Sequence, residues 1–231
     1  MNDYEPAPAL GLSETSTNEE IQAAAFEFIR EVGYLGVSTI SSDGHSPTAR
    51  GLELHQLDAD GNFYVGMAKG KPVYHELKKS PQLYGVLIRE TSKHLSVAVR
   101  LNAHVTEVNP GDHPEIYTRY WELNGGTEAL YRKDLGMFRI FLLDRGEGAI
   151  FHLPESDVVC RVRFGFGGQA PRPWAYEITD RCIGCGACAE ACMKEVIYSD
   201  GHGRYRISHF NCLECGRCYS VCPNDAVERR I

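Results

Sequence analysis

Eight of the nine cysteines in this chain of 231 residues fall into two copies of one arrangement, CxxCxxCxxxC: Cys182, Cys185, Cys188, Cys192 and then Cys212, Cys215, Cys218, Cys222. The copies are offset by a constant thirty positions, a length suited to a duplicated half-domain. Thiolates at this spacing constrain a fold strongly, because they must all reach a small inorganic core. Two residues between ligands make the backbone curl around that core and turn its N–H groups inward. Gly184, Gly186 and Gly216 take positive φ without steric cost, which lets the loops wrap closely. The last cysteine of each copy follows the third by four residues, one turn along a short helix, and is carried away from its own loop. This is the ligand pattern of two cubane iron–sulfur clusters, so the chain is expected to carry electrons.

The second copy reads CLECGRCYSVCP, with Pro223 after its last cysteine; the first reads CIGCGACAEACM, with Met193 in that place. Proline there only helps to end the segment, so its absence removes no ligand. Between the copies, Ile197 and Tyr198, then Asp200-Gly201, then Tyr205 to Ile207 read as a small hairpin. These residues resemble the bacterial 2x[4Fe-4S] ferredoxin module, from about Ala175 to Ile231. The resemblance implies that Cys182, Cys185, Cys188 and Cys222 hold one cluster and that Cys212, Cys215, Cys218 and Cys192 hold the other. Two structural zinc sites are the competing reading, since CxxC pairs also bind zinc, but zinc does not call for a triple CxxCxxC twice. Disulfides fit less well, for want of a secretory context.

About 175 residues remain outside this module, enough for a core of their own. The chain is 43% hydrophobic and 24% charged, with no apolar run of spanning length, so no membrane segment is expected. The N-terminus, MNDYEPAPALGLSETSTNEE, is acidic and lacks the basic and apolar regions of a signal peptide. The expected compartment is the cytoplasm. A net charge of -7 argues against a nucleic-acid partner, which would need a basic face.

In the larger part, Thr17 and Glu20 form a capping-box pattern ahead of Ile21, Ala25, Phe28, Ile29 and Val32, and Gly33 closes that helix. Strand-like runs follow: Leu35 to Ser41, Thr48 to Leu57, Phe63 to Val65, Leu83 to Ile88 and Leu95 to Val108. The last of these alternates apolar and polar residues, as a half-buried antiparallel strand does. Asp112 to Leu123 reads as a helix, and Phe138 to Leu143 and Ala149 to Leu153 as strands joined by a turn at Asp144 to Gly148. Many short strands with few helices point to a barrel.

The stretch GVSTISSDGHSPTARGLELHQLDADGNFYVGMAKGKPVYHELKKSPQLYGVLI resembles the pyridoxamine 5'-phosphate oxidase-like split barrel, over roughly Glu20 to Leu153. That resemblance implies a mainly β, α+β architecture: a six-stranded antiparallel split β-barrel with flanking helices, followed by the small α+β ferredoxin-like domain. It implies a homodimer with FMN in a groove at the subunit interface. The phosphate would be held by Arg50 on the second strand and by Lys69 and Lys71 in the loop after the third, with Gly66, Met67 and Ala68 leading into that loop. The chemistry agrees: a dianionic phosphate favours a guanidinium fork, an ammonium and free N–H groups at a helix start, and Pro72 suits a first helical turn.

The expected organisation is a mobile arm (1–18), an FMN-binding barrel (19–164), a linker (165–174) and the two-cluster domain (175–231). The function implied is an FMN-dependent oxidoreductase in which two [4Fe-4S] clusters relay electrons between a low-potential partner, such as a ferredoxin, and FMN, which exchanges electrons or hydride with a small substrate. No catalytic acid or base is assigned. His55, His75 and His94 are proton-donor candidates against packed or solvated roles, Tyr117, Tyr120 and Trp121 ring-stacking candidates against core packing, and Cys160 reads as a small buried residue. A pure electron carrier, or the same barrel with haem or a deazaflavin, stays open as an alternative.

Overall fold

The computed structural model describes residues 8–92, 95–153 and 159–230. Helix α1 (Asn18–Val32) starts where the capping box places it. Thr17 accepts a hydrogen bond from the Glu20 N–H at 3.2 Å, and the Glu20 carboxylate accepts one from the Thr17 N–H at 2.8 Å. Gly33 ends it at φ 73°, donating its N–H to Ile29 O. The face carrying Ile21, Ala25, Phe28 and Ile29 is buried against the sheet.

The barrel follows as β1 (Tyr34–Ile40), β2 (Pro47–Glu53), β3 (His55–Gln56), β4 (Phe63–Ala68), α2 (Pro72–Lys79), β5 (Gln82–Ser92), β6 (Leu95–Val108), α3 (Pro114–Leu123), α4 (Gly125–Tyr131), β7 (Phe138–Leu153) and β8 (Cys160–Phe166). All pairings are antiparallel, and the sheet runs β2-β1-β5-β6-β7-β4-β3. Its two ends belong to one stretch of chain. Residues 47–53 pair with β1, and after Leu54, whose N–H bonds to Gly33 O, residues 55–56 pair with β4. One broken strand thus closes six strands into the expected split barrel, and the closure leaves few bare edges.

Two expectations about local structure are corrected. Residues Asp144 to Gly148 do not turn; they continue β7 as one strand of sixteen residues, with a register shift opposite His104 and Val105. Gly146 and Gly148 serve close packing instead. A Cβ at Gly146 would lie 2.3 Å from Asn102 O, and one at Gly148 would lie 2.4 Å from the Phe164 ring and 2.6 Å from Arg100 O. The second correction is β8, which pairs with the far half of β7 and was not anticipated as a strand. Its inward residues Cys160, Val162, Phe164 and Phe166 join the barrel core with α1.

A separate small core holds Tyr117, Tyr120 and Trp121 against Phe138 and Ile140, so their rings pack rather than face a groove. The Tyr117 hydroxyl, buried, donates to Val108 O at 2.9 Å and accepts from the Ile140 N–H at 3.2 Å.

The carboxyl-terminal part is built from β9 (Tyr176–Ile178), α5 (Ala187–Glu190), β10 (Ile197–Ser199), β11 (Tyr205–Ile207), α6 (Arg217–Ser220) and β12 (Val227–Arg229). The strands form two antiparallel ribbons, β10 with β11 and β9 with β12. Its core is small: Ile178, Cys188, Val196, Ile197, Ile207 and Val227.

Candidate functional site

The two ribbons and two one-turn helices bring the cysteines around two cavities. Cys182, Cys185, Cys188 and Cys222 line one of about 330 Å³ counting its mouth. Cys192, Cys212, Cys215 and Cys218 line the other, of about 420 Å³. Each cavity therefore takes three thiols from one copy of the motif and the fourth from the other. Among the described residues no group of His, Cys, Asp or Glu converges on a single point as one metal ion would need, and the sulfurs surround volumes instead.

Local backbone geometry explains the curl. Gly184, Gly186 and Gly216 have φ of 72°, 81° and 78°, and the last two begin α5 and α6. A Cβ at Gly184 would sit 2.3 Å from Gly203 O. Backbone N–H groups of Tyr205, Glu214 and Ala226 donate to the sulfurs of Cys182, Cys212 and Cys222 at 3.4, 3.3 and 3.2 Å. Burial pushes the Cys218 thiol up to about 11 and raises those of Cys188 and Cys212, and a bound metal ion would take these sulfurs as thiolates. Soft sulfur donors, inward amides and an apolar lining fit an iron–sulfur cluster in each cavity.

The cavity of the Cys212 set lies on the barrel side. Glu214, between Cys212 and Cys215, reaches out of the loop, and its carboxylate accepts from Arg161 at 3.1 Å, Arg163 at 2.6 Å and the Ala175 N–H at 2.9 Å. Both arginines lie on β8. The Arg161 N–H bonds Phe210 O, the Val159 N–H bonds the Asn211 side chain, and Trp174 stacks on His209 with Arg163 above it. Beside this seam lies a larger cavity of about 960 Å³, bordered by Glu214 and by Arg100, Arg161, Arg163 and Arg172. Neither Glu214 nor this arginine group was anticipated. The available signal is a break in the repeat, since Glu214 stands thirty positions after Gly184.

Arg50 faces into the barrel side of β2, where Nη1 meets the buried Glu76 carboxylate at 2.6 Å and Thr39 at 3.0 Å, and Nη2 meets Thr48 at 2.5 Å. Burial alone would raise Glu76, but the Arg50, Thr39 and Thr48 hydrogen bonds outweigh it and hold the carboxyl below its usual range. Arg50 therefore shares its charge with a carboxylate. Gly66, Met67 and Ala68 pair with Ile140, Arg139 and Phe138 of β7, and the Tyr120 ring lies so close that a Cβ on Gly66 would be 2.5 Å away. Lys69 is half-buried and Lys71 exposed just before α2, and neither makes an ion pair among the described residues.

The histidine candidates scatter. His55 is half-buried with its ring edge-on to Tyr120, burial lowers its pKa, and His75 is exposed beside Tyr74 on α2. His94 lies outside the described residues. Cys160 is buried, apart from both cysteine groups, with its thiol pushed up to about 12 by that burial.

Residues 181–226 match the family model described as a 4Fe-4S dicluster domain. A stretch of 55 residues is 40% identical to the 7Fe ferredoxin of Hydrogenibacillus schlegelii, covering 23% of this chain and 69% of that protein. Through this segment the chain belongs to the dicluster ferredoxin family. A ferredoxin of Pyrobaculum islandicum is 36% identical over 50 residues, which span 22% of this chain and only 47% of that protein. The barrel is a separate likeness. A NimC/NimA family protein from Clostridium acetobutylicum superposes with a TM-score of 0.51 at 19% identity, covering 66% of this chain and 96% of that one. Its likeness shows the split-barrel fold of the amino-terminal part. The chain thus joins a ferredoxin-family iron–sulfur segment to a split barrel, and no helix among the described residues is long and apolar enough to cross a membrane.

Proposed function

We propose that this chain is an iron–sulfur flavoprotein oxidoreductase of the cytoplasm, with [4Fe-4S] clusters on the Cys182, Cys185, Cys188, Cys222 set and on the Cys212, Cys215, Cys218, Cys192 set, and FMN on the barrel. When bound, the clusters supply single-electron transfer and the flavin supplies one- or two-electron exchange with an organic substrate. The observation that carries this reading is the grouping of four thiols around each of two cavities, one of them tied to the barrel through Glu214. The Cys182 set then faces the outside donor, a ferredoxin-like protein, and the Cys212 set faces the barrel.

The residues of the chain hold and shield rather than react. The amide groups of Tyr205, Glu214 and Ala226 stabilise negative sulfur, and the apolar lining keeps water out. For the flavin phosphate, Lys69 and Lys71 supply the free charge at the start of α2, Gly66 to Ala68 hold the loop, and Arg50 orients donors while Glu76 moderates its charge. In this reading the working units are 19–164 and 175–231, joined by 165–174, with 1–18 as an arm. The barrel pairs with a second copy; Tyr34 and Ile88, exposed on β1 and β5 beyond the lining of the cavity, supply an apolar patch for that contact.

The test is anaerobic purification with iron, sulfide and released-cofactor analysis. About eight irons and eight sulfides per chain and one FMN are expected, with about half the iron after Cys185→Ser. Stoichiometric zinc without sulfide would overturn the cluster assignment, and a released haem or deazaflavin would overturn FMN.

A further inference from the structure

Five strands present one outward surface to the cavity beside the cluster module. The register aligns Gly36, Val86, Arg100, Ala149 and Arg163 in one transverse row, and Ser38, Tyr84, Asn102 and Glu147 in the next. Small residues sit at Gly36 and Ala149, so the surface dips there, and Arg161, Arg172 and Glu214 border it. The volume of about 960 Å³, mouth included, belongs to the upper end of small-molecule sites.

The charges in this cavity do not balance. Glu214 serves both Arg161 and Arg163, and Glu147 pairs with Arg172 at 3.0 Å. Arg100 makes no ion pair among the described residues, and the Arg161 Nε is buried with no hydrogen-bond partner. Four guanidinium groups thus face two carboxylates. Arg161 and Arg163 are largely buried and share one carboxylate, while Arg100 and Arg172 are exposed at the rim, so an arriving anion would meet guanidinium donors with positive charge to spare. Tyr84 adds a half-exposed ring on the floor, a platform for a flat molecule.

We propose that this cavity binds an organic anion, a carboxylate or a phosphate ester of about mononucleotide size, with Arg100 and Arg172 as its chief contacts. Resting on the oxidoreductase reading, that anion is the substrate, held next to the loop of the Cys212 set. Two sources of the same chemistry exist, the flavin's own phosphate and a separate substrate, and the experiment separates them.

Wild type, Arg100→Gln, Arg172→Gln and Ala149→Leu are purified anaerobically as full-length chains, and iron content and melting midpoint confirm that each is folded. Calorimetric titration uses inorganic phosphate and benzoate as probes, and retained flavin is measured separately. The proposal expects both probes to bind wild type and to bind each arginine variant about tenfold more weakly, with Ala149→Leu blocking benzoate by bulk alone. Unchanged flavin retention with weakened probe binding assigns the site to a substrate. Flavin retention reduced several-fold in both arginine variants assigns it to the flavin phosphate. Probe affinities and flavin retention that are the same in all four proteins would reduce the arginines to a structural seam and overturn the proposal, while leaving the metal and cofactor analysis of the previous section untouched.

Discussion

Glu214 occupies the position in the second cysteine run that Gly184 holds in the first, and it does so at φ 53°, where an ordinary side chain is strained by about 1–2 kcal/mol. The strain persists because the carboxylate binds Arg161, Arg163 and the Ala175 N–H at once. Replacing it by glutamine leaves two largely buried guanidinium groups without their counter-charge. A loss of about 2–4 kcal/mol is expected in denaturant unfolding of the iron-loaded protein. Glutamate to glycine should lose somewhat less, because it relieves the backbone. Equal stability of both variants and wild type would show that the bridge anchors nothing. Glu76 makes a pH-dependent counterpart. Its folded pKa lies below the unfolded value of about 4.3, so its contribution is complete above that pH and is lost as pH falls through the folded value. Glu76→Gln is therefore expected to cost about 1–3 kcal/mol at pH 7 and to flatten the stability curve below about pH 4, read by urea titration at several pH values. The contrast also marks how far side chains were legible. The eight cysteines announce themselves by spacing, whereas Glu76 for Arg50 and Arg161, Arg163 and Ala175 for Glu214 come from parts of the chain far away in sequence, which no local pattern encodes.

At the scale of elements, capping chemistry made α1 legible down to its end residues, because Thr17, Glu20 and Gly33 each satisfy a backbone group locally. The same local logic misread β7. Asp144 to Gly148 carries two glycines in five residues, the usual mark of a turn, yet those glycines admit Asn102 O on one side and the Phe164 ring on the other. A glycine required by a neighbour looks like a glycine required by a turn. The two kinds of crowding separate under mutation. At Gly66 the nearest obstruction is the Tyr120 ring, so Gly66→Ala should cost about 1–3 kcal/mol alone and much less in a Tyr120→Leu background. At Gly148 the carbonyl of Arg100 also blocks the space, so Gly148→Ala should cost a similar amount that Phe164→Leu does not recover. Thermal unfolding of the two double-mutant cycles checks this, and strict additivity at Gly66 would contradict the packing described.

On the scale of the whole molecule, two parts of unequal self-sufficiency share one seam. The barrel closes on itself around a large core in which α1, β8 and the six barrel strands all bury residues. The core cluster of the cysteine module holds six buried residues, one of them Cys188, and its ribbons are only three residues long. A unit of that size is expected to depend on bound metal for its fold. Removing iron anaerobically with a chelator is therefore expected to unfold residues 175–230 while the barrel keeps a cooperative transition. The barrel should not be left unchanged, because Arg161 and Arg163 lose Glu214, and Arg161 and Val159 lose their backbone and side-chain partners at Phe210 and Asn211. Its transition should shift down by about 1–3 kcal/mol, the worth of largely buried charged hydrogen bonds. Limited proteolysis then cuts after residue 174 in the iron-free protein and spares the iron-loaded one, and circular dichroism retains the strand signal of the barrel. A single transition with an unaltered midpoint would mean that the two parts do not lean on each other. The Glu214 bridge would then have no role in bringing one set of cysteines to the barrel.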